Sequence, residues 1–305
     1  MSQMQKPLLS IITVSYGGSE KIKNLLNSLL SHAPSVTWEW IVVDNASAKN
    51  DGEKTQKILS NTPQAHLVQL QKNLGFGGGN DEGVKFSHGE FLAFINPDIE
   101  VQGGCIDRLL EAIQKDSTIG IASPLLQTRE GNLLENTWDF PTLWSLLSRR
   151  LRTNMNKGVK PLVHQINSVA WAQGSFLVMR KSFFQKLGGF DSRFFLFFED
   201  TDLCRRSWEA GKKVVQVPQA RAFHSEHRLS GKDIWGSIFR KTFWIHVISM
   251  MKYFQKWKGQ SKPKIFGKQG GSTSPSIKNH ANCGHTHASL LHFLGSGSKG
   301  GDKAK

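Results

Sequence analysis

The first 130 residues alternate between short apolar runs and helical patterns, and this alternation constrains the fold more than any other feature. Five apolar runs have the composition of buried strands: residues 8–16, 38–47, 66–70, 91–95 and 119–126. Residues 20–30 place apolar residues on one helical face, residues 52–59 have the pattern of a polar helix, and residues 105–114 are predicted to form another helix. Strands that alternate with helices form βαβ units, so the pattern predicts a Rossmann-like α/β fold, in which helices flank a mostly parallel central sheet.

The fourth apolar run, FLAFI, ends abruptly at Asn96-Pro97-Asp98. Proline cannot extend a central strand, so the sheet should end near Asn96, with Asp98 just beyond the strand's carboxyl end. Open α/β sheets bind ligands at this edge, and Asp44 follows the second strand in the same way. Asn, Pro and Asp are also common turn residues, so both acids have a structural alternative as turns or helix caps.

A glycine-rich stretch, NLGFGGGN at residues 73–80, follows the third strand. It lacks the Gly-Lys-Ser/Thr ending of a phosphate-binding loop and the GxGxxG spacing of a dinucleotide site. We interpret it as a loop that leads into a helix and lets the backbone approach a ligand closely. The structural alternative is a flexible tight turn.

The second half of the chain is less regular. Residues 143–165 are basic and weakly patterned, which favours a helix followed by a mobile loop. The patterns then predict a strand, a short helix, an aromatic stretch that runs into a helix closed by Gly211, and two short strands: residues 169–180, 181–187, 194–211, 214–218 and 221–225. Residues 261–305 are rich in Gly, Ser, Lys and His, and we expect most of them to be disordered.

The positive charge of the chain lies in its last third. Residues 1–202 contain 20 Lys and Arg against 20 Asp and Glu, whereas residues 203–305 contain 19 against 4. This asymmetry indicates an anionic partner, either nucleic acid or an anionic membrane surface. A nucleic-acid reader should have a basic face with base-reading elements, whereas this neutral body has an acidic cleft, so no nucleic-acid partner is expected.

Cysteine usage and the chain's hydropathy indicate the compartment. The three cysteines are far apart and odd in number, which favours a reducing environment. The sequence shows neither a signal-peptide pattern nor about 18 consecutive apolar residues. We therefore expect a cytoplasmic protein.

Five motifs occur in order: TVSYG (13–17), VVDNAS (42–47), NLGFGGGN (73–80), INPD (95–98) and FFEDTDLCRR (197–206). Together they resemble the inverting glycosyltransferases of family 2, which have the GT-A fold, and within them the rhamnosyltransferase-like branch of bacterial surface polysaccharide synthesis. The resemblance covers about residues 8–230. It implies a catalytic domain at 1–230, with a nucleotide-sugar half to about residue 130 and an acceptor half from 131, followed by a helix at 231–260 and a tail at 261–305.

The resemblance implies a nucleotide-sugar donor at the carboxyl ends of the strands. The residues expected to hold it are Thr13, Tyr16, Asp44, Asn45, Asn73, Gly75, Phe76, Asn80 and Asn96. Asp98 corresponds to the last residue of the family's Asp-x-Asp motif and would ligate Mg²⁺ or Mn²⁺ at the diphosphate, with His224 completing the metal site. Asn96 stands where many members have Asp, which should weaken metal binding.

The second acidic motif would supply the chemistry. Inversion needs a carboxylate that takes the proton from the acceptor hydroxyl, and the resemblance assigns this role to Asp200, with Glu199 next in line. Trp171, Gly174 and Asp202 are expected on the acceptor side. For Asp202 an ordinary i,i+4 ion pair with Arg206 is an equal alternative.

The resemblance predicts transfer of rhamnose from dTDP-rhamnose to a polyprenyl-diphosphate-linked or other glycan. The alternatives are a family 2 transferase that uses a UDP- or GDP-sugar, and a non-catalytic relative that only binds nucleotide. A homodimer is also among the expected assemblies. The tail cluster HANCGHTH (280–287) resembles a metal-binding sequence but lacks a matching partner pair.

The amphipathic segment at residues 233–258 interleaves aromatic and basic side chains. We expect it to lie at the inner face of the plasma membrane, with its rings among the headgroups and cations such as Lys241, Lys252 and Lys256 against anionic lipid. The alternative is that its aromatic face packs on the catalytic domain.

Overall fold

The predicted parallel sheet forms the centre of the molecule. The computed structural model describes residues 6–48, 50–142, 165–224 and 241–267. The strands are β1 (Leu9–Ser15), β2 (Trp38–Asp44), β3 (Ala65–Gln69), β4 (Phe91–Ile95), β5 (Ile99–Val101), β6 (Ile119–Gln127), β7 (Thr137–Trp138), β8 (Asn167–Ser168), β9 (Trp171–Ala172), β10 (Phe176–Arg180) and β11 (Lys213–His224). The helices are α1 (Ser19–Ser31), α2 (Asp51–Leu59), α3 (Gly75–Lys85), α4 (Cys105–Lys115), α5 (Lys181–Lys186), α6 (Glu199–Glu209) and α7 (Lys241–Lys256).

The main sheet has the order β3-β2-β1-β4-β10-β6-β11-β5, and β8 also pairs with β11. Strands β3, β2, β1 and β4 are mutually parallel, as are β6 and β11, whereas β10 runs antiparallel to both β4 and β6. The prediction of a mostly parallel sheet flanked by helices is therefore confirmed.

The two faces of the sheet are covered by different helices because successive side chains of each strand point to opposite sides. Ile11 packs in a core that includes apolar residues of α1 and α4, whereas its neighbour Ile12 packs in a core that includes residues of α3 and α6. All five residues of β4 are buried. This double coverage explains why the strands are continuous apolar runs.

The glycine-rich stretch is helical, which corrects the prediction of a loop. Helix α3 begins at Gly75 and contains the three consecutive glycines 77–79. A Cβ atom on Gly79 would lie 2.8 Å from Val14 Cγ1, and one on Gly83 would lie 2.7 Å from Ile12 Cγ2. These glycines therefore let α3 pack closely on β1, which is a role in helix–sheet packing.

Three features of the sheet differ from the sequence prediction. The two short strands predicted near the end of the domain are one strand, β11, whose register with β6 shifts between Val217 and Arg221. Strand β5 follows the Asn-Pro-Asp turn directly, and β7 pairs with β9 in a separate two-stranded ribbon. The predicted helix and loop at 143–165 fall almost wholly outside the described residues.

The residues that follow α7 and the predicted helical segment, residues 261–267, also pack on the domain. Lys262 Nζ donates to Phe140 O at 2.7 Å, and Arg205 donates to Ser261 O at 3.1 Å. Residues 261–267 are therefore ordered on the domain, and disorder of most of residues 261–305 stays a prediction. The described part of the chain does not include residues 225–240 or 268–305, and the HANCGHTH cluster falls within the second range. Among the described residues, no helix is long and apolar enough to cross a membrane.

Candidate active site

The carboxyl ends of β1, β2 and β4 meet at one edge of the sheet. Ser15, the last residue of β1, pairs with Asp44, the last residue of β2. Strand β4 ends at Ile95, as predicted, and the N–H of Asn96 donates to Ser175 O at 2.9 Å. Tyr16 is 64% exposed at this edge. An exposed ring beside buried acids is suited to stacking on a nucleotide base.

Two of the predicted donor residues hold the start of α3 in place. Asn45 Oδ1 accepts from the N–H of Leu74 at 2.8 Å, and Asn45 Nδ2 donates to Gly75 O at 2.9 Å and to Asn73 Oδ1 at 3.0 Å. Asn73 Oδ1 also accepts from the N–H of Gly75 at 2.8 Å. These amides are engaged in fixing the turn, so their contact with a nucleotide stays a prediction.

Thr13 and Asp44 are both buried, and their side chains have different partners. Thr13 is fully buried, and its hydroxyl accepts from Trp40 Nε1 at 2.9 Å. The Thr13 side chain is thus engaged within the sheet, and the contact of Thr13 with the base or ribose stays a prediction. Asp44 is buried at the strand end, where its Oδ1 accepts from the N–H of Ser47 at 3.0 Å.

Asn80 and Phe76 lie on α3. Asn80 is almost fully buried, and its Nδ2 donates to Phe76 O at 2.9 Å within the helix. The half-buried ring of Phe76 packs edge-on against Phe190, with centroids 5.9 Å apart. Its edge also limits Gly174, where a Cβ atom would lie 3.1 Å from Phe76 Cε1. Phe76 therefore lies between the donor edge and the acceptor half.

Asp98 lies between the imidazole of His224 and the ammonium group of Lys21. His224 Nε2 is 3.4 Å from Asp98 Oδ1, and Lys21 Nζ is 3.5 Å from Oδ2. Within the described chain, Oδ1 is buried and accepts no hydrogen bond. Burial alone would raise the pKa of Asp98, but the His224 imidazole and the Lys21 ammonium outweigh it and hold this pKa below its ordinary value.

This arrangement fits a divalent cation bound jointly by protein and diphosphate. A buried carboxylate oxygen without a hydrogen-bond donor and an imidazole nitrogen face each other, and both are ordinary ligands of Mn²⁺. The described residues contain no group of three or more His, Cys, Asp or Glu side chains that could hold a metal alone. Phosphate oxygens would have to supply the remaining ligands.

The second acidic motif lies at the start of α6. Asp200 Oδ2 accepts from the N–H of Gly174 at 2.9 Å, and Oδ1 accepts from the N–H of Thr201 at 2.6 Å. The side chain of Glu199 is buried, and its Oε2 finds no hydrogen-bond partner among the described residues. Asp200 is only partly buried, so it is the more accessible of the two acids.

Both acids of this pair have raised pKa values. Burial raises the pKa of Glu199 well above its ordinary value, and the negative charge of Asp200 adds to the effect. Burial also raises the pKa of Asp200 and outweighs the hydrogen bonds from Gly174 and Thr201 that favour its ionised form. Carboxyl groups with raised pKa values can accept protons near neutral pH.

Asp202 is part of the scaffold. It is fully buried, and its Oδ2 accepts from Arg206 Nε at 2.7 Å, which is the i,i+4 pair expected as the alternative. Its Oδ1 lies 2.6 Å from Lys256 Nζ and accepts from Trp257 Nε1 at 3.0 Å. These contacts match the ion-pair alternative, and an acceptor-side role for Asp202 stays a prediction.

The two acidic sites are connected by the loop before β10. Ser175 O accepts from the N–H of Asn96, two residues before Asp98, while the neighbouring Gly174 N–H donates to Asp200. Trp171, at the start of this loop, stacks on Trp138 with centroids 4.5 Å apart and donates to Asp139 O at 3.1 Å. The predicted acceptor-side residues Trp171 and Gly174 therefore lie on one segment, and this segment contacts Asp200 through the N–H of Gly174.

Sequence reasoning missed Lys21 and Ser175. Lys21 lies in the first turn of α1 directly after β1, a position where a cation can reach the strand edge. That position was a usable signal, because ligands of α/β sheets bind there. Ser175 gave no signal, because only the tertiary structure shows that its buried hydroxyl lacks a hydrogen-bond partner within the described residues.

Comparison with known proteins identifies the family. The model of glycosyl transferase family 2 matches residues 10–188. N-acetylglucosaminyl-diphospho-decaprenol L-rhamnosyltransferase of Mycobacterium tuberculosis is 27% identical over 255 residues, which cover 74% of this chain and 78% of that protein. Rhamnosyltransferase WbbL of Escherichia coli K12 is 29% identical over 264 residues, which cover 82% of this chain and 93% of that protein.

Solved structures support the same fold. A Pyrobaculum calidifontis mannosyltransferase in complex with GDP-Man and Mn²⁺ has a TM-score of 0.60 at 16% identity, and the match covers 86% of this chain and 67% of that one. GalNAc-T7 with UDP, GalNAc and Mn²⁺ has a TM-score of 0.58 at 18% identity, and the match covers 74% of this chain and 45% of that one. The family model covers more than half of the sequence, and the fold agrees with it. The chain thus belongs to glycosyl transferase family 2 and is a glycosyltransferase with the GT-A fold.

Proposed function

We propose that this enzyme transfers a rhamnosyl group, with inversion, from dTDP-rhamnose to a polyprenyl-diphosphate-linked glycan in the synthesis of a cell-surface polysaccharide. The observation that carries the inverting chemistry is the pair Glu199–Asp200, a partly exposed acid beside a buried one, both with raised pKa values. Rhamnose and the lipid-linked acceptor are supported by the names of two relatives, both rhamnosyltransferases, one of which acts on a diphospho-decaprenol substrate.

Asp200 is the group that we assign as the general base. A carboxylate has about four lone-pair positions, and the three hydrogen bonds from Gly174 and Thr201 leave one of them for the acceptor hydroxyl. The same bonds fix the direction in which Asp200 points. Burial raises the pKa of Asp200 above its ordinary value, which strengthens this carboxylate as a proton acceptor.

Asp98 and His224 would hold the divalent cation, Mg²⁺ or Mn²⁺, at the donor diphosphate. When bound, such a cation neutralises negative charge on the departing nucleoside diphosphate. Lys21 lies on the other side of Asp98 and would bind a phosphate oxygen directly. Tyr16, exposed at the same edge, would stack on the base. The donor is thus bound by groups from the ends of β1, β4 and β11 and from α1.

The outer face of α7 is the surface that we propose to contact an anionic membrane at the cytoplasmic side. Trp244, Ile248 and Met251 are 53%, 48% and 63% exposed, and their spacing places them on one face of the helix. Lys241 and Lys258 are exposed at its two ends. Exposed apolar side chains flanked by lysines suit an interface between headgroups and acyl chains.

Two of the three lysines predicted to contact lipid bind the catalytic domain instead. Lys252 Nζ donates to Arg193 O at 2.8 Å, and Lys256 Nζ binds Asp191 Oδ2 at 2.6 Å. Both predicted lipid contacts are therefore engaged with the domain, as in the packing alternative. Only Lys241, of the three cations named for the membrane, is exposed.

A donor and acceptor panel tests the proposed activity. The full chain is incubated with dTDP-, UDP- and GDP-sugars, Mn²⁺ and polyprenyl-diphosphate N-acetylglucosamine, and released nucleoside diphosphate is measured. We expect turnover with dTDP-rhamnose, an inverted anomeric configuration by NMR, and turnover lower by about 10² to 10⁴ with Asp200→Asn. Turnover with only a UDP- or GDP-sugar would replace the donor assignment, and no release from any donor would refute the enzyme proposal.

Flotation with liposomes tests the membrane proposal separately. We expect the protein to float with anionic vesicles at low salt and to sink with neutral ones. Replacing Trp244, Ile248 and Met251 together with Ala should abolish flotation, and Lys241→Glu with Lys258→Glu should weaken it. Lys186→Glu, at an exposed position of α5, is the matched control. A protein that stays in solution with anionic vesicles at low salt would contradict the proposal.

A further inference from the structure

The turn that leads into the acidic pair has an unfavourable backbone conformation. Phe197 and Phe198 have φ values of 70° and 68°, in the left-handed region that bulky side chains rarely adopt. Such conformations persist only where the surrounding structure holds them. The contacts that hold this turn therefore determine where Glu199 and Asp200 point.

Helix α7 packs on this turn with aromatic side chains of its inner face. The His246 ring lies 5.0 Å from the ring of Phe197 and 5.4 Å from that of Phe198. Tyr253 is 1% exposed, and its ring lies 5.4 Å from Phe198. His246 and Tyr253 are two helical turns apart, so the helix covers both aromatic residues of the turn.

The same face binds the backbone of the segment before the turn. Ser249 Oγ donates to Leu196 O at 2.8 Å, and Lys252 Nζ donates to Arg193 O at 2.8 Å. Hydrogen bonds to main-chain carbonyls fix peptide orientation directly, whereas side-chain packing alone does not. Two consecutive turns of α7 thus fix the peptide groups that precede Phe197.

The C-terminal end of α7 binds both sides of the turn through charge. Lys256 Nζ lies 2.6 Å from Asp191 Oδ2, before the turn, and 2.6 Å from Asp202 Oδ1, after it. Trp257 Nε1 donates to the same oxygen of Asp202 at 3.0 Å. Lys256 is mostly buried and Asp202 fully so, which makes this bridge much less screened than a surface ion pair.

We propose that α7 is a positioning element for the acidic pair, and that Lys256 and Trp257 are its positioning residues. They act on Glu199 and Asp200 through the turn and through Asp202, without contact with substrate. The catalytic half of this inference rests on the proposed function, whereas the holding of the turn is independent of it. The family model ends at residue 188, so neither the turn nor α7 is covered by that match.

Hydrogen–deuterium exchange of the full chain tests whether α7 holds the turn. Lys256→Met removes the bridge but keeps a long apolar side chain, and Trp257→Phe removes the N–H donor but keeps a ring. We expect exchange in the peptide covering residues 192–202 to accelerate about tenfold or more in both variants. Gln255→Ala, at an exposed neighbouring position, is the control and should exchange like wild type.

Steady-state kinetics test whether the held turn positions the acids. We expect kcat to fall about tenfold in Lys256→Met while the KM for the donor changes less than about twofold, because a small displacement of a base slows the chemical step alone. Lys256→Arg should restore part of kcat, and a merely destabilised protein would show no such rescue.

Two results would overturn the inference: wild-type exchange in both variants, or accelerated exchange with unchanged kcat. If the wild-type enzyme turns over no nucleotide sugar, the proposed function fails, and the exchange experiment by itself decides whether α7 holds the turn.

Discussion

The two acidic sites are both largely buried, yet their pKa values shift in opposite directions. At Asp98 the neighbouring His224 and Lys21 outweigh burial and lower the pKa, so this carboxyl stays ionised. At Glu199 and Asp200 burial dominates, and the negative charge of Asp200 further raises the pKa of Glu199. The neighbours of a buried acid, more than burial itself, therefore decide whether it serves as an anionic ligand or as a proton acceptor.

The largest effect should come from the site with raised pKa values. Asp200→Asn keeps the shape of the side chain but cannot accept a proton, so kcat should fall by about 10² to 10⁴ while donor KM changes little. Glu199→Gln is the matched comparison and should be less harmful, because the Glu199 side chain is buried whereas Asp200 is partly exposed. A dead Glu199→Gln with an active Asp200→Asn would exchange the two roles, and two active variants would reduce the pair to a helix start.

Loss of the Asp98 carboxylate should have the next largest effect on turnover. Asp98→Ala should reduce turnover at least about 10²-fold, since several kcal/mol of charge stabilisation depend on the cation that it holds. In the wild type, EDTA should abolish turnover, and Mn²⁺ or Mg²⁺ should restore it. Full activity in chelator would show that the opposite pKa shifts do not reflect a metal site.

Lys21, the lysine beside Asp98, allows a finer test. Lys21→Met should raise the donor KM about tenfold with a smaller change in kcat, because a phosphate contact present in both ground and transition states contributes mainly to binding. Lys21→Arg should recover most of the affinity. Lys23→Met, an exposed lysine on the same helix, is the control. An unchanged donor KM in Lys21→Met would limit the role of Lys21 to its pairing with Asp98.

The smallest effect is expected at Asp81, a partly buried acid on α3 that accepts a hydrogen bond from the N–H of Phe190. Burial raises the pKa of Asp81 from 3.8 to about 6, against the opposing effect of the hydrogen bond from the N–H of Phe190. A carboxyl with a raised folded-state pKa contributes stability below its unfolded pKa, and this contribution is lost as pH rises through 6. Ionised Asp81 should therefore destabilise the fold at neutral pH.

Asp81→Asn removes this charge and can still accept the bond from Phe190. The full pKa shift of Asp81 corresponds to about 3 kcal/mol. Because Asp81 is only partly buried, solvent reduces this effect, and we expect about 1 kcal/mol of added stability at pH 7.5. The gain should disappear near pH 4, as measured by urea unfolding at both pH values. An equal gain in stability at both pH values would mean that Asp81→Asn acts through packing. Burial would then not explain the raised pKa of Asp81.

The sequence predicted the parts of the site that depend on local pattern. An apolar run followed by Asn96-Pro97-Asp98 defines a strand end without any knowledge of the rest of the chain, and β4 does end at Ile95. The i,i+4 spacing of Asp202 and Arg206 likewise predicted an ion pair that the structure contains. Both signals lie within a few residues, where backbone geometry fixes the distance.

The parts that could not be predicted depend on contacts between distant segments. The amides of Asn45 and Asn73 are engaged with each other across 28 residues, and Lys256 binds Asp191 across 65. The glycines of α3 appeared suited to a ligand-binding loop, whereas the side chains of β1 beneath them require their small size. Sequence pattern shows that a polar or small residue is needed, but not which neighbour requires it.

The pH dependence of kcat, measured at saturating donor and Mn²⁺ for wild type and Asp200→Asn, tests the division of roles most directly. We predict that wild-type kcat falls on the acidic side with one apparent pKa above the ordinary range of an aspartate, because its base must be ionised. The residual activity of Asp200→Asn should lose this dependence. A wild-type kcat that stays constant down to about pH 4, or the same acidic fall in the variant, would contradict the assignment of the base to this pair.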